Sequence, residues 1–126
     1  MEKNNKEQEK HALDRIEDEI AHEKSVENVR RNMPAEEDIA TMCAAFKVLG
    51  EPSRMKIILA LMEGEMCVYH IAEAVEGQQS AVSHQLRILR DNRIIKSRRD
   101  GKNILYSVAD EHVANIIEMS REHLSC

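Results

Sequence analysis

Four side chains of types that bind metal ions stand near the C-terminal end of this sequence: Asp110, His112, His123 and Cys126. His123 stands eleven positions after His112, which at about 100° per residue puts both on one face of a helix. At about 1.5 Å per residue they are roughly 16 Å apart, so they cannot chelate one ion within one chain. A second, antiparallel copy of the helix would bring Asp110 and His112 of one protomer to His123 and Cys126 of the other, in two equivalent sites. This oxygen, nitrogen and sulfur donor set suits tetrahedral zinc, so the spacing predicts a homodimer that senses or stores a metal.

Each of the four residues also has a simpler interpretation. Asp110 is a suitable N-cap for a helix, and the two histidines could be polar residues of an interface. Cys126 could be a thiol at a frayed chain end. The metal hypothesis therefore depends on the four residues acting together.

The composition limits the other classes of protein. With 126 residues, one Phe, two Tyr and no Trp, the chain has room for one domain with an aliphatic core and an extra arm. It has neither an apolar stretch of membrane-spanning length nor a secretory signal, so we expect a cytoplasmic protein with no membrane partner and with reduced thiols. Cys43 lies in an apolar stretch and is predicted to be in the core. The sequence contains no glycine-rich phosphate loop, nucleophile elbow or carboxylate pair, so an enzyme is not expected.

The charge is distributed unevenly along the chain. The net charge is −5, yet residues 78–106 carry seven basic and two acidic side chains, a local balance of +5. Residues 1–38 carry seven basic and twelve acidic side chains, a balance of −5. One basic segment in an acidic protein is typical of an element that reads double-stranded DNA, although a solvated charged face is the alternative.

The order of predicted elements indicates the fold. Residues 1–33 form a helical arm, and Met33-Pro34 separates it from a domain at 34–126. Helices are predicted at about 36–49, 52–63, 68–76 and 80–92, the last with Ser80 as N-cap. Strands at 94–99 and 103–108 flank a turn at Asp100-Gly101, and a final helix begins after Asp110. The fold class is therefore mainly α (α+β): a winged helix–turn–helix with a two-stranded β-hairpin wing, an N-terminal helical arm and a C-terminal dimerisation helix.

Residues 80–90 separate into two helix faces. Val82, Leu86 and Leu89 recur at intervals of four and three and are predicted to point into the core. The residues left outside have side chains that suit base edges and phosphates. These predicted DNA-binding residues are Ser80, Ser83, His84, Gln85 and Arg87, with Arg98, Arg99 and Lys102 of the hairpin beside the groove.

The sequence resembles the ArsR/SmtB family of bacterial metal-sensing repressors. The resemblance covers roughly residues 38–126 and is carried by the runs 46–54, 67–72, 79–89, 99–102 and 105–107. It implies a homodimeric winged-helix protein that occupies operator DNA when metal-free and releases it on binding metal, and it places recognition-helix residues at Ser80, Ser83, His84 and Gln85. Asp110, His112 and His123 match the pattern of the zinc-sensing members.

Cys126 departs from that pattern, because it stands where those members have Glu or His. A thiolate is a softer ligand, so Zn(II) or a similar thiophilic divalent ion such as Cd(II) is the expected effector. The resemblance also implies a second, weaker site, in which Cys67 and His70 of one protomer would join His11 and His22 from the N-terminal arm of the other. The alternative for Cys67 is a small buried hydrophobe.

The sequence is also compatible with two other functions. Cys67 and Cys126 could respond to oxidants or sulfur species in a repressor of the same fold. The arm could instead form a coiled coil in an interaction module, although the basic segment argues against this. The sequence as a whole favours a metal-responsive repressor.

Overall fold

The computed structural model describes residues 2–125, with side chains from residue 5 onward, and its architecture confirms the predicted winged helix–turn–helix. The helices are α1 (Glu2–Asn32), α2 (Glu36–Leu49), α3 (Pro52–Met62), α4 (Val68–Ala74), α5 (Gln79–Asp91) and α6 (Glu111–Ser125). The strands are β1 (Met66–Cys67), β2 (Ile95–Asp100) and β3 (Asn103–Val108). Within this range no helix is long and apolar enough to cross a lipid bilayer.

The arm forms one helix of 31 residues, α1. It ends at Asn32 because Pro34 disfavours helical backbone at the residue before it. By its internal contacts the chain divides into two compact units, Met1–Ile39 and Ala40–Cys126. The predicted domain boundary after residue 33 stays a prediction.

Helix α2 buries only Leu49, in its last turn. Met42 and Phe46 are 55% and 58% exposed, and Cys43 is exposed as well. The prediction that Cys43 lies in the core is therefore wrong. Met42, Cys43 and Phe46 fall within about 100° of one another around the helix and form an exposed face.

Helices α3, α4 and α5 surround the core of the second unit. The Glu51 side chain accepts a hydrogen bond from the Arg54 backbone N–H (3.1 Å) and so caps α3, with Pro52 in the first turn. A hydrogen bond from the Ser53 hydroxyl holds the pKa of the Glu51 carboxyl below its usual range. The least exposed core side chains are Ile57, Ile58, Ile71, Leu86 and Leu89.

The turn between α4 and α5 determines where the second helix of the motif begins. Glu76 adopts a positive φ of 54°, and the Gly77 N–H donates to the Ala72 carbonyl (2.9 Å). A Cβ on Gly77 would lie 3.2 Å from Val82 Cγ2, so the close approach favours glycine. Ser80 is not the N-cap that the sequence predicted. The cap position is Gln78, whose carbonyl accepts from the Val82 N–H (2.9 Å) and whose side chain makes no capping hydrogen bond.

The wing is a three-stranded antiparallel sheet in the order β1-β3-β2. The short strand β1, which was not predicted, pairs Met66 with Tyr106 and Cys67 with Leu105. The hairpin turn lies one residue later than expected, since Asp100 still pairs with Asn103. Gly101, at φ 63°, is the first of its two central residues, as in type II′ turns.

The last helix, α6, is capped as predicted. The Val113 N–H donates to the Asp110 side chain (3.0 Å). Val113 and Ile117 are buried in the common core, and the remainder of the helix is mainly exposed.

We expect Leu89→Ala to lower the free energy of unfolding by about 2–5 kcal/mol, because the leucine is 0% exposed and its removal leaves a cavity. Urea unfolding followed by circular dichroism measures this change. The matched control is Leu13→Ala, at a position that is 60% exposed on α1 and where the same substitution should change stability by less than about 0.5 kcal/mol. Equal losses at the two positions would contradict the assigned core.

Candidate nucleic-acid interface and metal ligands

The outer face of α5 carries the polar side chains that were predicted to read DNA. Val82, Leu86 and Leu89 are buried, as expected. Their burial leaves the opposite face in solvent. The exposed residues of that face include Ser80, Ser83, His84 and Arg87.

Gln85 is placed differently from the other predicted DNA-binding residues. At about 100° per residue it lies roughly 140° around the helix from Ser80, on a flank of α5. It is half-buried, and its side-chain oxygen accepts a hydrogen bond from Arg54 Nη1 of α3 (3.3 Å). Its predicted contact with DNA stays a prediction.

The three cations of the wing are in different environments. Arg98 donates two hydrogen bonds to the carboxylate of Glu65, which precedes β1, one of them from Nε at 3.0 Å. Arg99 follows on the opposite face of β2, since successive strand side chains alternate. Lys102 is exposed in the hairpin turn. Arg98 is thus engaged within the protein, whereas Arg99 and Lys102 lie on the exposed wing.

The Arg98–Glu65 pair persists at neutral pH. The hydrogen bonds from Arg98 hold the pKa of the Glu65 carboxyl below its usual range. The contribution of this carboxylate is therefore present above its unfolded pKa and is lost as the pH falls through the lower folded pKa. The neighbouring charge of Lys96 acts in the same direction.

At the start of α6, two of the predicted metal ligands lie close together. His112 Nδ1 is 3.6 Å from Asp110 Oδ1, and the imidazole is exposed. The backbone hydrogen bond from Val113, with a smaller contribution from the charge of His112, holds the pKa of Asp110 below its usual range. The carboxylate is thus ionised at neutral pH, as a metal ligand must be.

The other two predicted ligands stand at the far end of the helix. His123 is exposed on the last turns of α6, whereas Cys126 lies outside the described residues. Among residues 5–125, no three His, Cys, Asp or Glu side chains are grouped closely enough to hold an ion. Asp110 and His112 are brought together within the chain, and His123 is not near them along the helix.

The second predicted set of ligands is split between the two compact units. Cys67 is buried at the N-cap of α4, and His70 is exposed on the same helix. His11 and His22 are exposed on α1. The burial of Cys67 is the environment expected for a small hydrophobe, and its role as a ligand stays a prediction.

Two polar contacts in the second unit involve residues that the sequence did not single out. Glu65 is 33 positions from Arg98, and Arg54 is 31 positions from Gln85. Contacts between residues so far apart in the sequence cannot be predicted from the spacing of neighbouring residues. The capping role of Glu51, in contrast, is recognisable in the sequence, because an acidic residue directly before Pro52 marks the start of a helix.

A helix–turn–helix with a polar exposed helix and a cationic β-hairpin defines a winged-helix DNA-binding protein. The family of bacterial regulatory proteins named arsR matches residues 51–97. A transcriptional repressor SmtB homolog from Synechocystis sp. is 40% identical over 105 residues, which cover 83% of this chain and 80% of that protein. A cadmium resistance transcriptional regulatory protein CadC homolog from Staphylococcus aureus is 35% identical over 81% of this chain and 84% of that protein.

The solved structures agree with these sequence relatives. The crystal structure of the antimony-specific transcriptional repressor AntR superposes with a TM-score of 0.67 at 32% identity, and the match covers 75% of this chain and 86% of AntR. The chain therefore belongs to the ArsR family of bacterial regulatory proteins. This confirms the resemblance drawn from the sequence motifs and the expectation that the protein is not an enzyme.

We expect Glu65→Gln to increase the affinity for operator DNA, because a neutral amide holds Arg98 less strongly than the carboxylate does and so frees the guanidinium to contact a phosphate. Each added phosphate contact steepens the dependence of log affinity on log salt by about 0.9. Fluorescence anisotropy titrations at several salt concentrations measure both quantities. Glu63→Gln, at an exposed carboxylate two residues earlier, removes the same charge without releasing Arg98. Identical behaviour of the two variants would mean that Arg98 gains no contact.

Proposed function

We propose that this protein is a homodimeric transcriptional repressor that binds operator DNA when metal-free. It releases the DNA when Zn(II), or a similar thiophilic divalent ion such as Cd(II), bridges the α6 helices of the two protomers. Its place of action would be the cytoplasm, where the thiols remain reduced. The relative named as a cadmium resistance transcriptional regulatory protein supports an effector of this class.

The observation that carries this proposal is a row of exposed residues along α6. Counted from His112, Ile116, Met119 and His123 follow at about 40°, −20° and 20° around the helix, so they form one face. Ile116 and Met119 are 41% and 68% exposed. An apolar centre between two histidines suits an antiparallel pairing of α6 with the α6 of a second protomer. Ile116 and Met119 would be buried there, and His112 of each chain would approach His123 of the other.

A second exposed apolar face supports the same assembly. Met42 and Phe46 are exposed on α2, within the unit that also contains α6. Exposed apolar clusters on a small domain are typical of surfaces that bind another chain. A dimer that covered both faces would bury the large side chains that the single chain leaves in water.

The donor set fits a divalent thiophilic ion. Asp110 and His112 of one protomer, with His123 and Cys126 of its partner, would supply one carboxylate oxygen, two imidazole nitrogens and one thiolate. This combination suits four-coordinate zinc or cadmium and is poor for magnesium or calcium, which prefer oxygen ligands. The hydrogen bond from Val113 keeps Asp110 ionised and holds its side chain beside His112.

The link to DNA affinity follows from two-fold geometry. Two α5 helices reach two half-sites only when the dimer spaces them by about one helical turn of DNA or a multiple of it. An ion held by ligands from both protomers favours the dimer shape in which those ligands converge. If that shape spaces the α5 helices wrongly, DNA affinity falls, and DNA weakens metal binding by the same factor.

The thiol-based alternative receives less support. It assigns oxidant sensing to Cys67 and Cys126, and Cys67 is buried and therefore poorly accessible. Cys43 is exposed, but it is not one of the two cysteines on which that alternative depends. The metal-responsive function remains the better supported of the two.

We expect zinc to lower the affinity of the native protein for its own upstream DNA by about tenfold or more, and chelator to restore it. His112→Ala should abolish the response while leaving metal-free DNA binding unchanged. The measurement is fluorescence anisotropy of the reduced protein. His70→Ala serves as the control, because it removes an exposed imidazole from α4.

Three other outcomes have distinct meanings. A native protein that binds DNA but ignores zinc would exclude the metal assignment and bring the thiol alternative forward. A zinc response that is lost in His70→Ala and kept in His112→Ala would assign the metal site to the second candidate ligands, which include Cys67 and His70. No DNA binding with or without metal would refute the repressor function itself.

We expect Met119→Glu to weaken the dimer by about a hundredfold or more, because two-fold pairing would bring unpaired carboxylates into an apolar interface. Analytical ultracentrifugation over a range of protein concentrations measures the monomer–dimer equilibrium. The matched control, Arg121→Glu, places a carboxylate on the opposite side of α6. Equal association of the native protein and Met119→Glu would show that this face is not the interface.

A further inference from the structure

Arg54 connects three helices through one side chain. It belongs to α3, where the Glu51 carboxylate accepts a hydrogen bond from its backbone N–H (3.1 Å). Its Nε donates to the Val48 carbonyl in the last turn of α2 (2.8 Å), and its Nη1 donates to Gln85 Oε1 on α5 (3.3 Å). The helix that carries the predicted DNA-reading residues is thus attached, by way of α3, to the C-terminal end of α2.

The chemistry of the guanidinium makes this connection specific. Arginine donates and cannot accept, so the Gln85 amide must turn its oxygen toward Arg54 and its NH₂ group away. Val48 provides one of the last four carbonyls of α2, which have no partner within the helix. The planar guanidinium presents separate N–H groups to these two acceptors at once, whereas the single ammonium of lysine lacks that fixed fork. Both hydrogen bonds are partly buried and are therefore less weakened by competition from water than surface contacts are.

Arg54 lies on a different side of α5 from the exposed reading face. Ser80, His84 and Arg87 share the outer face, whereas the partner of Arg54, Gln85, lies on the flank. The hydrogen bond can therefore influence the orientation of α5 without occupying the surface that would contact the bases. α2 is also the helix whose exposed Met42 and Phe46 belong to the proposed dimer surface.

We propose that Arg54 is a positioning residue, which fixes α5 against the C-terminal end of α2 and thereby sets the affinity for operator DNA without contacting the DNA. This inference rests on the proposed function, since it requires that the native chain bind DNA. The competing role is direct contact of Arg54 with a phosphate, for which the cationic charge alone would suffice.

The substitutions Arg54→Lys and Arg54→Met separate the two roles. For a positioning residue, both should lower metal-free DNA affinity to a similar extent, roughly 3- to 30-fold, since neither side chain can hold Val48 and Gln85 together in the geometry of the guanidinium. For a phosphate contact, Arg54→Lys should bind nearly as the native protein does, whereas Arg54→Met should reduce the salt slope by about 0.9. Arg31→Lys, an exposed substitution on α1, controls for the change of residue type.

Gln85→Met completes a double-mutant cycle with Arg54→Lys. If Arg54 acts through Gln85, the double variant should bind DNA no more weakly than the weaker single variant. Losses that simply add would overturn the inference, because the two residues would then act independently. All titrations use anisotropy with chelator present, and the native protein is measured first. Absence of native binding refutes the proposed function, whereas native binding with additive losses refutes only the role of Arg54.

If the Arg54 variants do not fold, two substitutions of Gln85 test the same inference. Gln85→Met leaves the Arg54–Val48 hydrogen bond in place, and Gln85→Glu keeps an oxygen that Arg54 can bind. At a salt concentration high enough to screen the new carboxylate from the DNA phosphates, the inference requires that Gln85→Glu bind DNA more tightly than Gln85→Met, with melting temperatures close to that of the native protein. The opposite order would show that Gln85 acts through its own NH₂ group and not through Arg54.

Discussion

Val82, Leu86 and Leu89 lie on one side of α5, and all three are buried in a core to which α3, α4 and β2 contribute. Burial of each such side chain contributes about 1.5–3 kcal/mol, so turning the helix about its axis would expose several of them at once. The orientation of α5 is therefore fixed by apolar burial, and the polar residues on its other side remain in solvent. The positions of the wing and of Arg54 have functional meaning only because this helix is held in one orientation.

The same core leaves two apolar faces uncovered. α2 contributes one buried residue, Leu49, and α6 contributes Val113 and Ile117. Several other large apolar side chains of these helices face water in the single chain, among them Met42 and Phe46 of α2 and Ile116 and Met119 of α6. In the proposed dimer these faces would be interior, so each of the two helices would contribute both to the core of its own protomer and to the interface between protomers. A change in how the helices pair would then act directly on elements that belong to the folded domain.

Sequence patterns predicted the features of this molecule that are local. The spacing of Val82, Leu86 and Leu89 identified the buried side of α5, and Met33-Pro34 located the end of the arm. Contacts between distant positions left no such pattern, which is why the Arg98–Glu65 and Arg54–Gln85 pairs were not foreseen. Cys43 was misassigned for a related reason: apolar composition predicts burial but does not tell whether the covering surface comes from the same chain. The four candidate metal ligands could be proposed from residue type and spacing, because His112 and His123 are eleven positions apart and therefore share one face of a helix.

The proposed metal ligands and the predicted DNA-reading residues belong to different parts of the fold, so the proposed regulation would operate through the shape of the dimer and not through competition for one surface. With donors divided between protomers, ion binding and DNA binding each select among dimer shapes, and the coupling equals the difference in free energy between those shapes. Such a difference changes DNA affinity only if α5 moves together with the helices of the dimer interface. A flexible attachment would absorb the movement within each protomer, whereas the hydrogen bonds of Arg54 to Val48 and Gln85 would transmit it from the end of α2 to α5. The rigidity of that junction, more than the strength of metal binding, would then limit how strongly the effector changes DNA affinity.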